Sequence, residues 1–298
     1  MRRLIAPVAA LLLLTASCAP ARSGTLGPAP IAPTTRTPPA ATAASRTPSP
    51  AASPGRPTPT PPAAPASTAA PGPGGTVTVQ LWFTRAGRLV PTRRTLPATP
   101  ATSRLALTEL AAGPTLAETA AGMTSLVPPG VQVTRIADRV ATLVPPAGFD
   151  GGGASAARLR RAQVVWTLTQ FPTVRRVAFA ATDSAPADRD DYADLLPPIV
   201  VTGPAVGDRV GSPITVTGTA NVFEATVSVR VLDGAGREIG TAFTLATCGS
   251  GCRGDYRVAV RYRRAAPGPG TIEVYEVSAQ DGSRINSVAV PVVLAASG

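Results

Sequence analysis

The chain contains no histidine and no lysine; every one of its 28 basic residues is arginine. Two common catalytic partners are therefore missing, the imidazole base and the amine whose pKa burial can tune. A serine or threonine nucleophile has nothing here to deprotonate it, which leaves only carboxylates for acid–base work. Cysteines number three, Cys18, Cys248 and Cys252. Without histidine beside them zinc cannot complete its usual ligand set, so neither a metal site nor a cofactor is expected. Aromatic residues make up 4 % of the chain, too few for base stacking. The formal charge of +11 also shrinks when divided: Arg2, Arg3, Arg22, Arg36, Arg46 and Arg56 precede residue 76, and the remaining 22 arginines face 17 acids. That mild excess argues against nucleic acid as a partner and suits anionic lipid or wall polymer better.

What is present is unevenly distributed. Residues 19–75 hold 16 prolines and no acid, with Ala, Thr, Ser and Gly filling most of the rest. Such a stretch cannot bury enough apolar surface to offset its ordering entropy and is expected to be disordered. Ahead of it, MRRLIAPVAALLLLTASCAP has two arginines, an 11-residue apolar run from Leu4 to Leu14, then small residues. The run is too short to span a bilayer and has the layout of a secretory signal over residues 1–17. Thr15-Ala16-Ser17-Cys18 resembles a bacterial lipobox, which makes Cys18 the lipid attachment site; a plain signal peptide with an unrelated cysteine is the alternative. Two acyl chains suffice for stable anchoring. Residues 18–75 then form a lipid-anchored Pro/Ala/Thr-rich tether, reaching about 40 Å as a coil and about 175 Å fully extended. This places the folded part outside the cell, at the outer face of the cytoplasmic membrane. In that oxidising setting Cys248 and Cys252 of CGSGC are expected to form a disulfide, contributing about 2 kcal/mol. A redox pair is the alternative.

Residues 76–184 alternate strand and helix patterns. TVTVQLWFT reads as a strand and RLVPTRRTLP as an irregular extended piece. ATSRLALTELAAGP reads as a helix with Leu105, Thr108/Glu109 and Ala112 in period and Leu107 and Leu110 widening the apolar face, stopped by Gly113-Pro114. MTSLVPPGVQVTRIADRVATLVPP gives two strands turning near Asp138-Arg139. SAARLRRAQVVWTLTQFP is a second helix, with Leu159, Ala162, Val165/Trp166 and Thr169 on one face. VRRVAFAATD closes with a strand. The order β-α-β-β-α-β predicts an α+β domain with helices on one side of a sheet. Thr167, Thr169 and Gln170 either line a groove or bond to backbone. Glu109, Glu118, Asp138 and Asp150 are scattered in sequence, with no base beside them.

Residues 185–197 are acidic and bounded by proline, and read as a solvated linker. Asp188, Asp190, Asp191 and Asp194 lack the glycine and the spacing of a calcium loop. From residue 198 to 298 seven short alternating strands follow, which predicts an all-β immunoglobulin-like sandwich. In DYRVAVRYR, Tyr256, Val258, Val260 and Tyr262 face one way. Arg257, Arg261 and Arg263, with Ala259, face the other and form a candidate interaction surface. One carboxylate sits in a suggestive place: Glu224 in VFEAT, beside Phe223. Phe223 is expected to anchor the sandwich, with Glu224 bonded to backbone or paired with Arg230 or Arg237.

Two stretches of the first segment, LTELAAGPTLAETAAGMTSLVPPGVQV and QVVWTLTQFPTVRRVAF, resemble the GerMN domain of sporulation and germination lipoproteins and of other actinobacterial lipoproteins. GPAVGDRVGSPITVTGTANVFEATVSVRVLDGAGREIG, with GDYRVAVRY and SAQDGSRINSVAVPV, resembles the immunoglobulin-like domain of bacterial spore germination. The resemblance implies a non-catalytic envelope lipoprotein, with no catalytic residue assigned. It would act as a scaffold or binding module for an envelope protein or wall polymer, in sporulation, germination or envelope assembly. Two alternatives stand beside it: a wall hydrolase using paired carboxylates, and a lipoprotein binding a small molecule in a deep apolar pocket. Neither the partner nor the oligomeric state is written in a motif.

Overall fold

A computed structural model describes residues 74–180 and 185–297. The signal segment, Cys18, the tether as far as residue 73 and the Thr182-Asp183-Ser184 turn lie outside the described residues. The described residues belong to one compact unit. No helix among the described residues is long and apolar enough to cross a membrane.

The first domain begins with a long hairpin. Strand β1 (Thr76–Arg85) pairs antiparallel with β2 (Arg88–Pro97) from Thr76↔Pro97 to Arg85↔Arg88. The two-residue turn, Ala86 at φ 48° and Gly87 at φ 74°, has the left-handed geometry that matches strand twist. Segment 88–97 is thus a full strand, where its sequence had suggested an irregular piece. Pro91, opposite Trp82, misled that reading, but β2 is an edge strand of its sheet, where a missing N–H costs nothing.

The helices that follow are α1 (Thr102–Ala112) and α2 (Leu116–Ala120). Helix α1 stops at Gly113 as expected, and it buries Leu107 and Leu110 of the expected face together with Ala106, while Leu105, Thr108, Glu109 and Ala112 stay partly or fully exposed. Strands β3 (Gln132–Ala137) and β4 (Val140–Val144) turn at Asp138-Arg139, both left-handed. Helix α3 (Ala154–Leu168) then crosses over to β5 (Arg176–Phe179), which runs parallel to β4. The α+β domain therefore holds two small sheets, β1-β2 and β3-β4-β5, with one strand and one short helix more than the predicted order.

Strand β1 has a strand partner on one side only. At the end of its other edge Thr84 exchanges two backbone hydrogen bonds with Thr124, both 2.8 Å, and the rest of that edge is closed by side chains of α3 and the turn after it. Gln163 Nε2 donates to Trp82 O (2.9 Å) and Thr167 Oγ1 accepts from Trp82 N (3.1 Å). Gln170, just past the helix, accepts from Gln80 N and donates to Gln80 O, both at 2.7 Å. Gln163 and Thr167 are wholly buried, and Gln163 Oε1 also accepts from Leu126 N at 2.9 Å. Above this seam Trp82 and Trp166 meet with ring centroids 4.6 Å apart. Neither indole N–H has an acceptor, so the pair contributes through packing alone.

Residues 185–197, expected to be a solvated spacer, are instead packed. A 3-10 turn over Asp190–Leu195 buries Tyr192, and Tyr192 and Leu196 join the core of the first domain. The aspartates are spent locally. Asp188 and Asp191 cap turn N–H groups, and Asp194 takes both Nη atoms of Arg158 at 2.7 and 2.8 Å.

The second domain contains the seven predicted strands, β6 (Ile199–Gly203), β8 (Ile214–Ala220), β9 (Thr226–Asp233), β10 (Glu238–Leu245), β11 (Gly254–Val260), β12 (Gly268–Val277) and β13 (Arg284–Leu294), plus the short β7 (Arg209–Val210). They form a sandwich of β10-β9-β12-β13-β7 over β11-β8-β6. Inward valines of both sheets make its core. Two buried tyrosines tie edges together: Tyr256 OH donates to Val200 O (3.2 Å), and Tyr262 OH lies 2.9 Å from both Val210 O and Ala295 O. Gly218 is required where β8 passes beneath Val200 and Tyr256, because a Cβ there would overlap both.

Replacing Gln163 with leucine keeps the volume but leaves Trp82 O and Leu126 N buried and unpaired. A loss of about 2–5 kcal/mol is expected from urea unfolding. Gln170→Ala, at a half-exposed position, should cost clearly less.

Candidate functional site

A carboxylate-based active site needs two acids converging on a cleft, with one held protonated. Glu118 and Glu109 do converge, on Arg94. Its Nη2 lies 2.8 Å from Glu118 and its Nη1 3.1 Å from Glu109. Glu118 is 3 % exposed, accepts from Thr92 Oγ1 at 2.6 Å, and closes a capping box with Thr115 at the start of α2. Burial pushes its pKa up, but the hydrogen bonds from Thr92, Thr115 and Arg94 together outweigh burial and hold it below the usual range. A permanently ionised, fully bonded carboxylate is a poor general acid. The network instead fixes β2, α1 and α2 to one another. On the second domain Arg230 likewise stands between two acids, bonded to Glu273 through Nε and 3.8 Å from Glu238.

The VFEAT segment is arranged differently from its expected form. Phe223 is 53 % exposed, and Val222 is the buried residue. Glu224 is exposed and left-handed at φ 50°, as is Ala225 at φ 58°. Neither Arg230 nor Arg237 reaches Glu224; Arg237 pairs with Asp233. The buried acid of this region is Glu276, which sequence reasoning missed. Its two oxygens accept from Phe223 N (2.8 Å) and Asn286 Nδ2 (2.7 Å). The signal for it was faint: one acid in an inward position of β12, among valines.

Two consecutive left-handed residues cost about 1–2 kcal/mol each, and the cysteine loop holds them in place. Cys248 and Cys252 are joined as a disulfide with Cα atoms 5.7 Å apart. Within the loop Ser250 Oγ accepts from Glu224 N (3.0 Å), Ser250 N donates to Val222 O (2.9 Å), and Gly251 N donates to Asn221 Oδ1 (3.0 Å). Gly249 lies so close to Ala225 that a Cβ would collide with it. CGSGC is thus a clasp on VFEAT.

The predicted arginine face survives with its geometry intact. In β11 Tyr256, Val258 and Val260 are buried and Arg257 is exposed; beyond the strand Tyr262 is buried and Arg261 and Arg263 are exposed. Extended spacing puts Arg257 about 13 Å from Arg261, and Arg261 about 7 Å from Arg263. None of the three forms an ion pair. Their cross-strand neighbours on β8 are Thr217 opposite Arg257 and Thr215 opposite Ala259. Asp255, two residues before Arg257, is the acid at the far end of this strand face. Arg261 and Arg263 border an open depression with Ser212, Pro213 and Ile239. Among the described residues no cluster of His, Cys, Asp and Glu is arranged to hold a metal ion.

Comparison with known proteins finds one family match for each of the two domains. Residues 68–184 match the family described as sporulation and spore germination, and residues 198–283 match the immunoglobulin-like domain of bacterial spore germination. No curated protein matches the chain. Among solved structures, the first GerMN domain of the sporulation protein GerM from Bacillus subtilis is 23 % identical, covering 36 % of this chain and 86 % of that one, with a TM-score of 0.31. The tandem GerMN domains of the same protein are 14 % identical, covering 75 % of this chain and 62 % of that one, with a TM-score of 0.34.

Two measurements check the site as described. Because folded Glu118 binds its proton less tightly than an unfolded glutamate, its contribution is complete above the unfolded pKa of about 4.3 and is lost as pH falls through the lower folded value. Denaturant stability of the wild type should therefore fall with acid across that window, and Glu118→Gln should flatten this part of the profile. Gly249→Ala should lower the thermal midpoint even with the disulfide intact, since the clash lies with Ala225 and not with the sulfurs.

Proposed function

We propose that this chain, a GerMN-like domain followed by an immunoglobulin-like domain of bacterial spore germination, works without catalysis as a binding module of the cell envelope. Cys18 would carry the lipid that anchors it to the outer face of the cytoplasmic membrane. The tether would lift the folded unit towards the wall, where it engages an anionic wall polymer in germination, sporulation or envelope assembly. The observation that carries the reading is the exposed row of Arg257 on β11 and Arg261 and Arg263 just beyond it, with no carboxylate paired to any of them. Guanidinium groups fork onto phosphate and carboxylate oxygens, and a linear row suits a linear polyanion. Other unpaired arginines are less well placed. Arg139 and Arg175 share their depression with Arg189 and with two acids, Asp188 and Asp190, which offset most of the local positive field.

A protein partner is the second reading. It is favoured by the outer face of the five-stranded sheet, where Phe243 and Leu245 are 73 % and 65 % exposed and Val277 is 45 % exposed. The experiment that separates the two uses Arg257→Glu/Arg261→Glu/Arg263→Glu in the full chain. Retention on purified anionic wall polymer should fall at least tenfold against wild type and lose most of its salt dependence, with thermal stability unchanged. Equal retention of wild type and variant would sink the polymer reading and leave the protein partner.

A further inference from the structure

The two domains meet where Val200 packs into the first core, with polar contacts beside it. Arg88 Nη1 of the first domain donates to Asp194 O of the connecting segment, and Arg253 Nη2 of the second domain donates to Pro197 O of that segment at 2.7 Å. Arg93 lies 3.7 Å from Asp208, both groups being well exposed. Beside these contacts lies a cleft of about 260 Å³. Its walls are apolar and come from both sides: Leu89, Val90 and Met123 of the first domain, and Val201, Val206 and Val290 of the second. No acid lines it.

One charged group at the cleft is unaccounted for. Arg85, the last residue of β1, lines the cleft and is half-buried, with neither a hydrogen bond nor an ion pair from its guanidinium. Arg88, also at the cleft, is committed to Asp194 O, and Asn286 to Glu276. A guanidinium cannot shed its charge in a protein, and burial already pulls the pKa of Arg85 below its ordinary value. An unpaired and partly desolvated cation gains more from an arriving anion than an exposed one does. The apolar walls call for hydrocarbon at the same time. Size narrows the ligand further. At about 260 Å³ the space lies below the range of drug-sized pockets and suits one short chain.

We propose that the interdomain cleft binds a short aliphatic carboxylate, its chain lying among the valines and Met123 and its head group on Arg85. A ligand bound there touches both domains at once, so it also stiffens the joint between them. The site is separate from the arginine row on β11, and its occupancy does not depend on that row.

The test uses the full chain and four probes: octanoate, acetate, octanol and octyl phosphate. Calorimetric or NMR titration at fixed ionic strength should show saturable one-to-one binding of octanoate. Acetate, without the chain, and octanol, without the charge, should each bind about tenfold more weakly or worse. Octyl phosphate shows whether the head group is read as a carboxylate or only as an anion; tighter binding of the phosphate would overturn the carboxylate assignment. Arg85→Met keeps the aliphatic stem and should abolish the preference for octanoate over octanol. Ala289→Trp, at an exposed position on the cleft wall, should block octanoate without unfolding the protein. The triple arginine variant of β11 should bind octanoate like wild type, which separates this result from the polymer reading. Absence of saturable octanoate binding, or binding that neither Arg85→Met nor Ala289→Trp changes, would overturn the proposal.

Discussion

The first domain depends on a helix behaving as a strand. Strand β1 is central to the core, with Val79, Leu81 and Phe83 wholly buried, yet β2 is its one partner strand, and on the other edge backbone pairing is limited to a bridge between Thr84 and Thr124. A buried strand edge with free N–H and C=O groups would cost about 1–3 kcal/mol for each group left unpaired. Helix α3 removes that cost with the amide and hydroxyl side chains of Gln163 and Thr167, four apart on one face of the helix, and Gln170 in the turn after it continues their line. Gln170 reproduces both bonds of a peptide group against Gln80. Because the same helix carries Trp166 onto Trp82, satisfying the strand edge and packing the core are one event. Losing the alignment of α3 would lose both.

From that seam the order of the rest follows. The turn after α3 leads to β5 and then to residues 185–197, whose Arg189 returns to α3, bonding Thr169 Oγ1 (2.7 Å) and lying 4.6 Å above the Trp166 ring. Arg158 of the same helix holds Asp194. The connection to the second domain is thereby pinned along α3. Val200 of β6, a residue of the second domain, packs into the first core, and Val206 touches both. The joint is a continuation of the first core, and the cleft beside Arg85 is where that continuation stops.

Much of the architecture could be read from periodicity. The alternation of β11, the Gly113-Pro114 stop and the Asp138-Arg139 turn are local signals, decided by residues adjacent in sequence. What escaped is non-local. Nothing near Gln163 says that its partners lie at Trp82 and Leu126, and nothing near Glu118 says that Arg94 and Thr92 will surround it. Proline and two arginines hid β2, because an edge strand tolerates residues that an interior strand rejects. The acidic run at 188–194 looked solvated because its arginine partner sits more than thirty residues earlier. VFEAT was misjudged for a related reason. Its left-handed turn is imposed by the cysteine loop 25 residues on, and the turn swings Phe223 outward and leaves Val222 inside. Of the candidate site, the arginine row was legible because strand alternation alone sets it. The interdomain cleft was not, since its walls come from segments that sequence separates widely.

An all-arginine complement of cations invites the view that each one is a surface residue set by codon choice. Their environments say otherwise. Arg94, Arg158, Arg161, Arg189, Arg230 and Arg253 act as multidentate fasteners on carboxylates, carbonyls and rings, a use that lysine's single ammonium would serve poorly. Once these are set aside, unpaired guanidinium groups stand out by contrast, and two places combine them with order. Along β11 and the residues just after it they form an exposed row; at the end of β1 one is half-buried beside an apolar cleft. The first geometry matches an extended anion held by several contacts in high dielectric, where each contributes little and salt weakens all of them. The second matches a compact anion held by one contact in lower dielectric, where a single group decides affinity. If both proposals hold, a protein with arginine as its one cationic side chain would separate two kinds of anion recognition by burial alone.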